Sequence, residues 1–250
     1  MIQESFAGFD GAPLALHRLG AGRPVILLHG LFSSAQVNWV KFGTAARLAD
    51  AGFECLMPDL RAHGQSAAPH DPAAYPTDVL ARDLRALTEH LGLPDYDLVG
   101  FSLGARTAAR AVIGGLAPQR LVLAGMGLEG LAGWARRQQF FADVLDRFGT
   151  IERSDPAYFA QQFLKTMAVD RVAVRLLLGA SADTSVADLA AITMSTLVLC
   201  GAEDNDNGSA DNLVAALPNA RRGIIRGTHM SSVTFPDLGN ELAAYLSAAY

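Results

Sequence analysis

The chain has 250 residues, half of them hydrophobic, and a formal net charge of −5 at pH 7. This length and apolar content suffice for one large α/β domain with a substantial core. Acidic and basic residues are interspersed, and no run of lysines or arginines is present that would follow a phosphate backbone, which argues against nucleic acid as a partner.

The sequence also indicates the cellular compartment in which the protein is expected. Cys55 and Cys200 each lie inside an apolar run, where a buried, reduced thiol is expected. The N-terminal segment lacks a basic region followed by an apolar core, and no uncharged stretch has the length of a membrane span. We therefore expect a cytoplasmic protein with no membrane span. The sequence carries no signal for its oligomeric state.

Short apolar runs of strand length alternate with helical patterns, which is typical of βαβ units and a mostly parallel sheet flanked by helices. The first segment predicts a hairpin that turns at Asp10-Gly11, so the sheet begins antiparallel. The predicted strands that follow are 24–29, 53–58, 96–101, 120–124, 196–200 and 222–226.

Two helices that cover this sheet are marked by leucine spacing. Leucines at 80, 84, 87 and 91 form one apolar stripe, and Gly92 followed by Pro94 predicts its end. The last segment repeats the pattern, with Pro236 opening a helix whose leucines at 238, 242 and 246 share a face.

One interval, 126–193, breaks the alternation because it contains helical patterns and no convincing strand. The helical segments are 131–148, a helix opened by Asp155 and Pro156, 171–179 and 185–192. We interpret 126–193 as a helical lid inserted into a body made of 1–125 and 194–250. Most of its aromatic residues are expected to pack the lid onto the body; Trp134, together with Phe32 of the body, is the candidate substrate contact.

Two arginines of this insertion, Arg136 and Arg137, are candidates to contact an anionic substrate group such as a carboxylate. Adjacent helical residues point in different directions, however, and such arginines are more often solvated. The sequence leaves both interpretations open.

The segment VGFSLGA, residues 99–105, carries the clearest chemical signal. A serine on a very sharp strand-to-helix turn projects its hydroxyl from the sheet, and glycines two positions before and after remove steric collisions. Gly100, Ser102 and Gly104 fit this G-x-S-x-G nucleophile elbow, with a predicted strand before and a helix after it. A serine needs a base and an orienting acid to act as a nucleophile.

Candidates for both partners follow the last two parallel strands, where such sheets gather ligands. His229 follows the strand at 222–226 and is the predicted base. Glu203, Asp204 and Asp206 follow the strand at 196–200; Asp204 is the preferred acid, and the other two remain alternatives. Among the other histidines, His29 and His63 lie in glycine-containing loops and are expected to fix those loops by hydrogen bonds.

The chain resembles the α/β-hydrolase fold serine hydrolases, in particular esterases with a helical lid. The resemblance runs through nearly the whole body and rests on LLHGLFSS, PDLRAHGQS, VGFSLGA, GAED and RGTHMSSVTFP. It departs from the family pattern at three small residues: Ala62 and Ala105 stand where glycine is usual, and Thr228 precedes the histidine where glycine is common.

The resemblance implies the chain order Ser102, Asp204, His229 for a catalytic triad, and an oxyanion hole made by the backbone N–H groups of Leu31 and Leu103. The implied activity is hydrolysis of a small to medium apolar carboxylic ester through an acyl-enzyme on Ser102, without a cofactor. The alternatives are a thioesterase, an enol-lactonase, a carbon–carbon bond hydrolase, or a slow-hydrolysing ligand receptor, which the same triad would serve.

One further motif, GMGLEG at 125–130, matches the G-x-G-x-x-G pattern of dinucleotide sites. The acid-ended strand that should follow is missing, so we interpret these glycines as a hinge into the lid. No group of residues has metal-ligand spacing, and no metal is expected.

Overall fold

A computed structural model describes residues 1–248 and contains one eight-stranded sheet. The strands are β1 (Ile2–Ala7), β2 (Pro13–Gly20), β3 (Arg23–Leu28), β4 (Phe53–Pro58), β5 (Asp97–Phe101), β6 (Arg120–Ala124), β7 (Ser195–Gly201) and β8 (Ala220–Ile225). Their order across the sheet is β1-β2-β4-β3-β5-β6-β7-β8. The pairs β1-β2 and β2-β4 are antiparallel and all others are parallel.

The α-helices are α1 (Thr44–Asp50), α2 (Val79–Leu91), α3 (Leu103–Ile113), α4 (Leu128–Ala132), α5 (Trp134–Asp146), α6 (Tyr158–Met167), α7 (Arg171–Gly179), α8 (Ala210–Ala216) and α9 (Pro236–Ser247). Short 3-10 turns lie at Pro72–Ala74, Ala187–Ala191 and Ser232–Thr234, and a π-helical turn at Gln36–Val40. No helix within residues 1–248 is long and apolar enough to cross a membrane.

Two hydrophobic layers hold the helices against the sheet. On one face the leucine stripe of α2 packs with the alanine-rich face of α3. On the other face Leu48 of α1 packs with the leucines at 238, 242 and 246 of α9. The predicted mostly parallel sheet flanked by helices is confirmed: helices bury the central strands on both faces, as a parallel sheet requires.

The predicted hairpin is present, although its connection spans 8–12 and only Gly11 of the predicted turn has a positive φ, 85°. The predicted strands 53–58 and 120–124 have the observed bounds, and the others differ by one or two residues. β8 differs most: it begins at Ala220 rather than 222, because pairing with β7, and not apolar content, fixes where it starts.

Residues 126–193 connect β6 to β7 through α4 to α7 and contain no strand. The single helix predicted for 131–148 is two helices that meet at Gly133, whose φ of −155° is not helical. The helix predicted to open at Pro156 begins at Tyr158, and the Asp155 carboxylate instead accepts from the N–H of Ala157 in a local turn. We call the segment 126–193 the helical insertion.

Candidate active site

Ser102 lies on the turn between β5 and α3, with φ 54° and ψ −112°. An L-residue rarely adopts a positive φ, so the turn places the side chain at the cost of local strain. The flanking glycines are required by close packing: a Cβ at Gly100 would lie 2.3 Å from the carbonyl oxygen of Gly104, and a Cβ at Gly104 would lie 2.1 Å from the carbonyl oxygen of Leu28.

The structure brings Ser102, His229 and Asp204 into one hydrogen-bonded row. Ser102 Oγ lies 3.0 Å from His229 Nε2, and His229 Nδ1 lies 2.9 Å from Asp204 Oδ2. The His229 and Asp204 side chains are only 8% and 3% exposed, so solvent competes little for the hydrogen bond between them. An Nδ1–H that donates to the carboxylate leaves Nε2 free to accept the Ser102 proton.

The two alternative acids lie elsewhere in the same loop. Glu203 and Asp206 are exposed, and neither hydrogen bonds to the imidazole of His229 among the residues that the structure describes. The Asp206 N–H donates to Asp204 Oδ1 at 3.2 Å, which leaves Asp204 Oδ2 directed at the imidazole. The geometry therefore selects Asp204 over both alternatives as the partner of His229.

The loops that carry Asp204 and His229 lie in contact because glycine permits it. A Cβ at Gly201 would lie 2.0 Å from the carbonyl oxygen of Gly227. The ring of Phe101 packs against the imidazole of His229, with 5.1 Å between centroids, and Ser232 Oγ donates to the His229 carbonyl at 3.2 Å. These contacts fix the imidazole between its two partners.

The loop after β3 supplies the second candidate oxyanion donor. The N–H groups of Leu31 and Leu103 donate no hydrogen bond to any residue in 1–248, and both residues line the same cavity as Ser102. The N–H groups on either side of Leu31 already have acceptors: the Gly30 N–H donates to Asn38 Oδ1 at 3.1 Å, and the Phe32 N–H donates to His63 Nε2 at 3.0 Å.

Asn38 was not identified from the sequence. It sits in the π-helical turn at 36–40 and is 3% exposed, with its Nδ2 buried and without a partner among the described residues. No sequence motif marks Asn38, because its role depends on a hydrogen bond with Gly30, eight residues away along the chain.

His29 and His63 are buried loop-fixing residues in the structure. His29 Nε2 accepts from the Leu60 N–H at 2.9 Å, while each Nδ1 lies within 3.0 Å of a backbone carbonyl, Gly30 for His29 and Arg61 for His63. One accepting and one donating nitrogen define a neutral imidazole. Burial lowers the pKa of both, for His63 to about 3, which agrees with a neutral ring.

A cavity beside Ser102 lies between the body and the helical insertion and is partly open to solvent. Its walls are Leu31, Ser102, Leu103, Arg106, Met126, Gly130, Trp134, Arg137, Phe141 and Asn207. The cavity is narrow, with room for roughly one water. Of the two predicted substrate contacts, Trp134 lies in this wall, whereas Phe32 is a supporting residue whose ring packs edge-on against Phe141 at 5.6 Å.

Arg106, which the sequence did not single out, fastens the insertion to α3. Its guanidinium is buried and donates to the carbonyls of Gly130 and Leu131 at 3.0 and 2.8 Å and to that of Ala182. It also lies 4.6 Å from the ring centroid of Trp134. Burial lowers its pKa to about 10, so it remains charged at neutral pH.

The glycines of GMGLEG serve close packing where the insertion begins. A Cβ at Gly127 would lie 2.3 Å from the carbonyl oxygen of Gly208, and one at Gly125 would lie 3.1 Å from the imidazole of His229. Within residues 1–248, no group of three or more His, Cys, Asp or Glu side chains could hold a metal ion.

Comparisons with known proteins confirm the predicted α/β-hydrolase fold. A family model described as the α/β-hydrolase fold matches residues 23–121, which include the oxyanion-loop candidate and the serine turn. A solved hydrolase from Pseudomonas aeruginosa PA01 superposes with a TM-score of 0.76 at 25% identity, covering 98% of each chain.

Two curated relatives are similar in sequence. N-formylmaleamate deformylase from Pseudomonas putida is 41% identical over 106 residues, which cover 42% of this chain and 37% of the deformylase. The AB hydrolase superfamily protein YisY from Bacillus subtilis is 26% identical over 213 residues, covering 76% of this chain and 78% of YisY. The chain spans only about a third of the length of the first curated relatives it matches.

Proposed function

We propose that the protein is a serine hydrolase that cleaves carboxylic esters through an acyl-enzyme on Ser102. The observation that carries this proposal is the hydrogen-bonded row from Ser102 Oγ through His229 to Asp204 beside a cavity. A serine hydroxyl alone is a weak nucleophile at neutral pH, and an adjacent oriented base is what activates it.

In this mechanism His229 Nε2 takes the Ser102 proton as Oγ attacks the ester carbonyl, and Asp204 stabilises the imidazolium that forms. The negative charge on the carbonyl oxygen is stabilised by the backbone N–H groups of Leu31 and Leu103. His229 then passes its proton to the leaving alcohol as the carbon–oxygen bond breaks. Water, activated by the same imidazole, hydrolyses the acyl-enzyme and releases the acid.

We also propose that the helical insertion is a lid. Two observations support this: insertion side chains, including Trp134 and Phe141, complete the cavity wall, and the cavity holds only about one water in this arrangement. Movement of the insertion away from Ser102 would widen this cavity for an ester.

The first experiment measures hydrolysis of 4-nitrophenyl acetate and butyrate, together with labelling of Ser102 by a fluorophosphonate read by peptide mass spectrometry. We expect turnover and single-site labelling, both lost in Ser102→Ala. No turnover of any ester together with no labelling of a folded protein would refute the proposal.

A matched pair of variants tests the acid. Asp204→Asn leaves the side-chain shape but removes the acceptor that fixes the imidazole tautomer, and we expect kcat to fall by about 10³ to 10⁴. Asp206→Asn makes the same chemical change in the same exposed loop without touching His229, and we expect kcat within about threefold of the wild type. Equal losses in the two variants would contradict the assignment of Asp204.

A second candidate function is amide hydrolysis, in particular removal of an N-formyl group, which the 41% identity to a protein named N-formylmaleamate deformylase favours. The same acyl-transfer steps would apply, with an amine in place of the alcohol as leaving group. Formate release from N-formyl amides, compared by kcat/KM with ester turnover, distinguishes the two functions.

A further inference from the structure

Arg137 of α5 has its side chain turned into the Ser102 cavity. It is one of ten lining residues, which include two arginines and no acidic residue. Its neighbour Arg136 is exposed. The helical phase of α5 therefore resolves the ambiguity left by the sequence: one of the adjacent arginines faces solvent and the other faces the cavity.

The guanidinium of Arg137 is held by aromatic rings and by no polar partner. Its Cζ lies 4.9 Å from the ring centroid of Phe141 and 5.7 Å from that of Phe140. Its Nε is buried without a hydrogen-bond partner, and no carboxylate within residues 1–248 lies at ion-pair distance from it. The residue as a whole is half-buried, but a buried polar N–H without a partner is costly, and a bound anion offsets that cost.

The charged groups nearest Arg137 do not supply this anion. Asp204 and Asp206 act on it only at a distance, and Arg136 opposes its charge. Asp204 Oδ2 is already bonded to His229, and Asp206 is exposed. Burial lowers the pKa of Arg137 from its usual value, but an arginine remains charged at neutral pH.

Another arginine of the same protein shows how a buried guanidinium is paired. Arg61 is fully buried and donates to both Asp10 and Asp83, with four hydrogen bonds of 2.7 to 2.9 Å. Arg106, the other cavity arginine, has its Nη groups committed to backbone carbonyls. Of the two arginines in the cavity wall, Arg137 is the one whose guanidinium N–H groups are available to a ligand.

We propose that Arg137 binds a carboxylate of the substrate, so that the preferred substrates are anionic and carry a free carboxylate in addition to the bond that is cleaved. This inference rests on the proposed hydrolysis at Ser102 and adds the substrate class. A guanidinium and a carboxylate form two parallel, charge-assisted hydrogen bonds, which fix the orientation of the substrate as well as its affinity.

The test compares matched anionic and neutral esters. On the acyl side, mono-4-nitrophenyl glutarate and adipate are compared with 4-nitrophenyl pentanoate and hexanoate; on the alcohol side, 4-acetoxybenzoate is compared with its methyl ester. Spontaneous hydrolysis is subtracted from every rate. The wild type, Arg137→Met, Arg137→Lys and the surface control Arg136→Met are assayed for kcat and KM.

We expect the wild type to favour the anionic member of at least one series by tenfold or more in kcat/KM. Arg137→Met lowers this anionic-to-neutral ratio by 10- to 100-fold, mainly through KM, and Arg137→Lys lowers it less because it keeps the charge but loses the fork. Arg136→Met keeps the wild-type ratio. Ratios near one in the wild type, or equal changes in the Arg136 and Arg137 variants, would overturn the proposal.

Labelling separates this proposal from the proposed function. Fluorophosphonate labelling of Ser102 depends on the nucleophile and reports the proposed function, whichever ester is preferred. Added glutarate should slow the labelling of Ser102 in the wild type and in Arg136→Met. The same concentration should slow labelling of Arg137→Met by a factor at least tenfold smaller. If Ser102 is labelled but glutarate protects the wild type and Arg137→Met equally, the carboxylate site is wrong and the hydrolase proposal stands.

Discussion

Replacement of Ser102 by glycine is expected to abolish ester turnover while leaving a protein more stable than the alanine variant. Ser102→Gly and Ser102→Ala both remove the hydroxyl that bonds to His229 Nε2. They differ in the Cβ, which alanine keeps at φ 54° and ψ −112°. The comparison therefore isolates the backbone strain at this turn from the lost hydrogen bond.

The magnitude follows from two opposing contributions. A non-glycine residue held in a sparsely populated backbone region costs on the order of 1–3 kcal/mol, which glycine relieves. Glycine also gains freedom in the unfolded chain, which destabilises the folded state by about 0.5–1 kcal/mol relative to alanine. The net expectation is that Ser102→Gly exceeds Ser102→Ala in free energy of unfolding by about 1 kcal/mol, or about 2–4 °C in Tm for a chain of this size.

Urea unfolding followed by circular dichroism measures this difference, with Ser231 as the control position. Ser231 has φ −86° and ψ −23°, an ordinary backbone conformation, so there Ser→Ala should be the more stable of the two replacements. The order of the two variants should thus reverse between the positions. If Ser102→Ala is as stable as Ser102→Gly, the turn at Ser102 is not strained and the reasoning fails.

Three further predictions concern residues that support the site. Asn38→Ala leaves the Gly30 N–H without its acceptor, so we expect kcat for 4-nitrophenyl butyrate to fall about tenfold and stability to fall by about 1–3 kcal/mol. Arg106→Met leaves the carbonyls that hold the insertion unpaired, so urea unfolding should show a loss of about 3 kcal/mol and limited proteolysis should cut first within 128–191. Burial lowers the folded-state pKa of His63 from its usual 6.5 to about 3. The contribution of the neutral ring to the free energy of unfolding is therefore fully present above pH 6.5 and is lost as pH falls towards 3. Between pH 7 and 5 this loss is about 2 kcal/mol. NMR should find its ring protons unshifted between those pH values, and a titration near pH 6 would contradict the last prediction.

The serine turn and its partners could be predicted because their chemistry depends on local pattern. A nucleophile elbow needs two glycines at fixed offsets, a strand before and a helix after, and all of these are written within about fifteen residues. Asp204 and His229 follow two neighbouring parallel strands, so their loops had to meet at the same edge of the sheet. Of the three acids in this loop, Asp204, the preferred one, is the acid whose carboxylate lies beside the imidazole.

Other features depend on how separate segments pack, which spacing does not encode. The direction in which Arg137 points depends on how α5 is rotated against the body. The break at Gly133 interrupts a helical pattern that reads as continuous in the sequence. Phe32 lies beside the oxyanion-loop candidate in sequence, yet its ring packs edge-on against Phe141, and it is Phe141 that lines the cavity. Proximity along the chain was a poor guide to contact with the cavity.

Several costs that a folded chain ordinarily avoids lie around the Ser102 cavity. Ser102 holds a strained backbone, Asn38 Nδ2 is buried without a partner among the described residues, and Arg137 in the wall has neither a partner for its buried Nε nor a counter-ion among them. Each feature lowers stability on its own, and none improves the packing of the core. Such costs are expected where groups are held ready for a ligand rather than for each other. Together they are the physical reason to seek both the reaction and its substrate at this edge of the sheet.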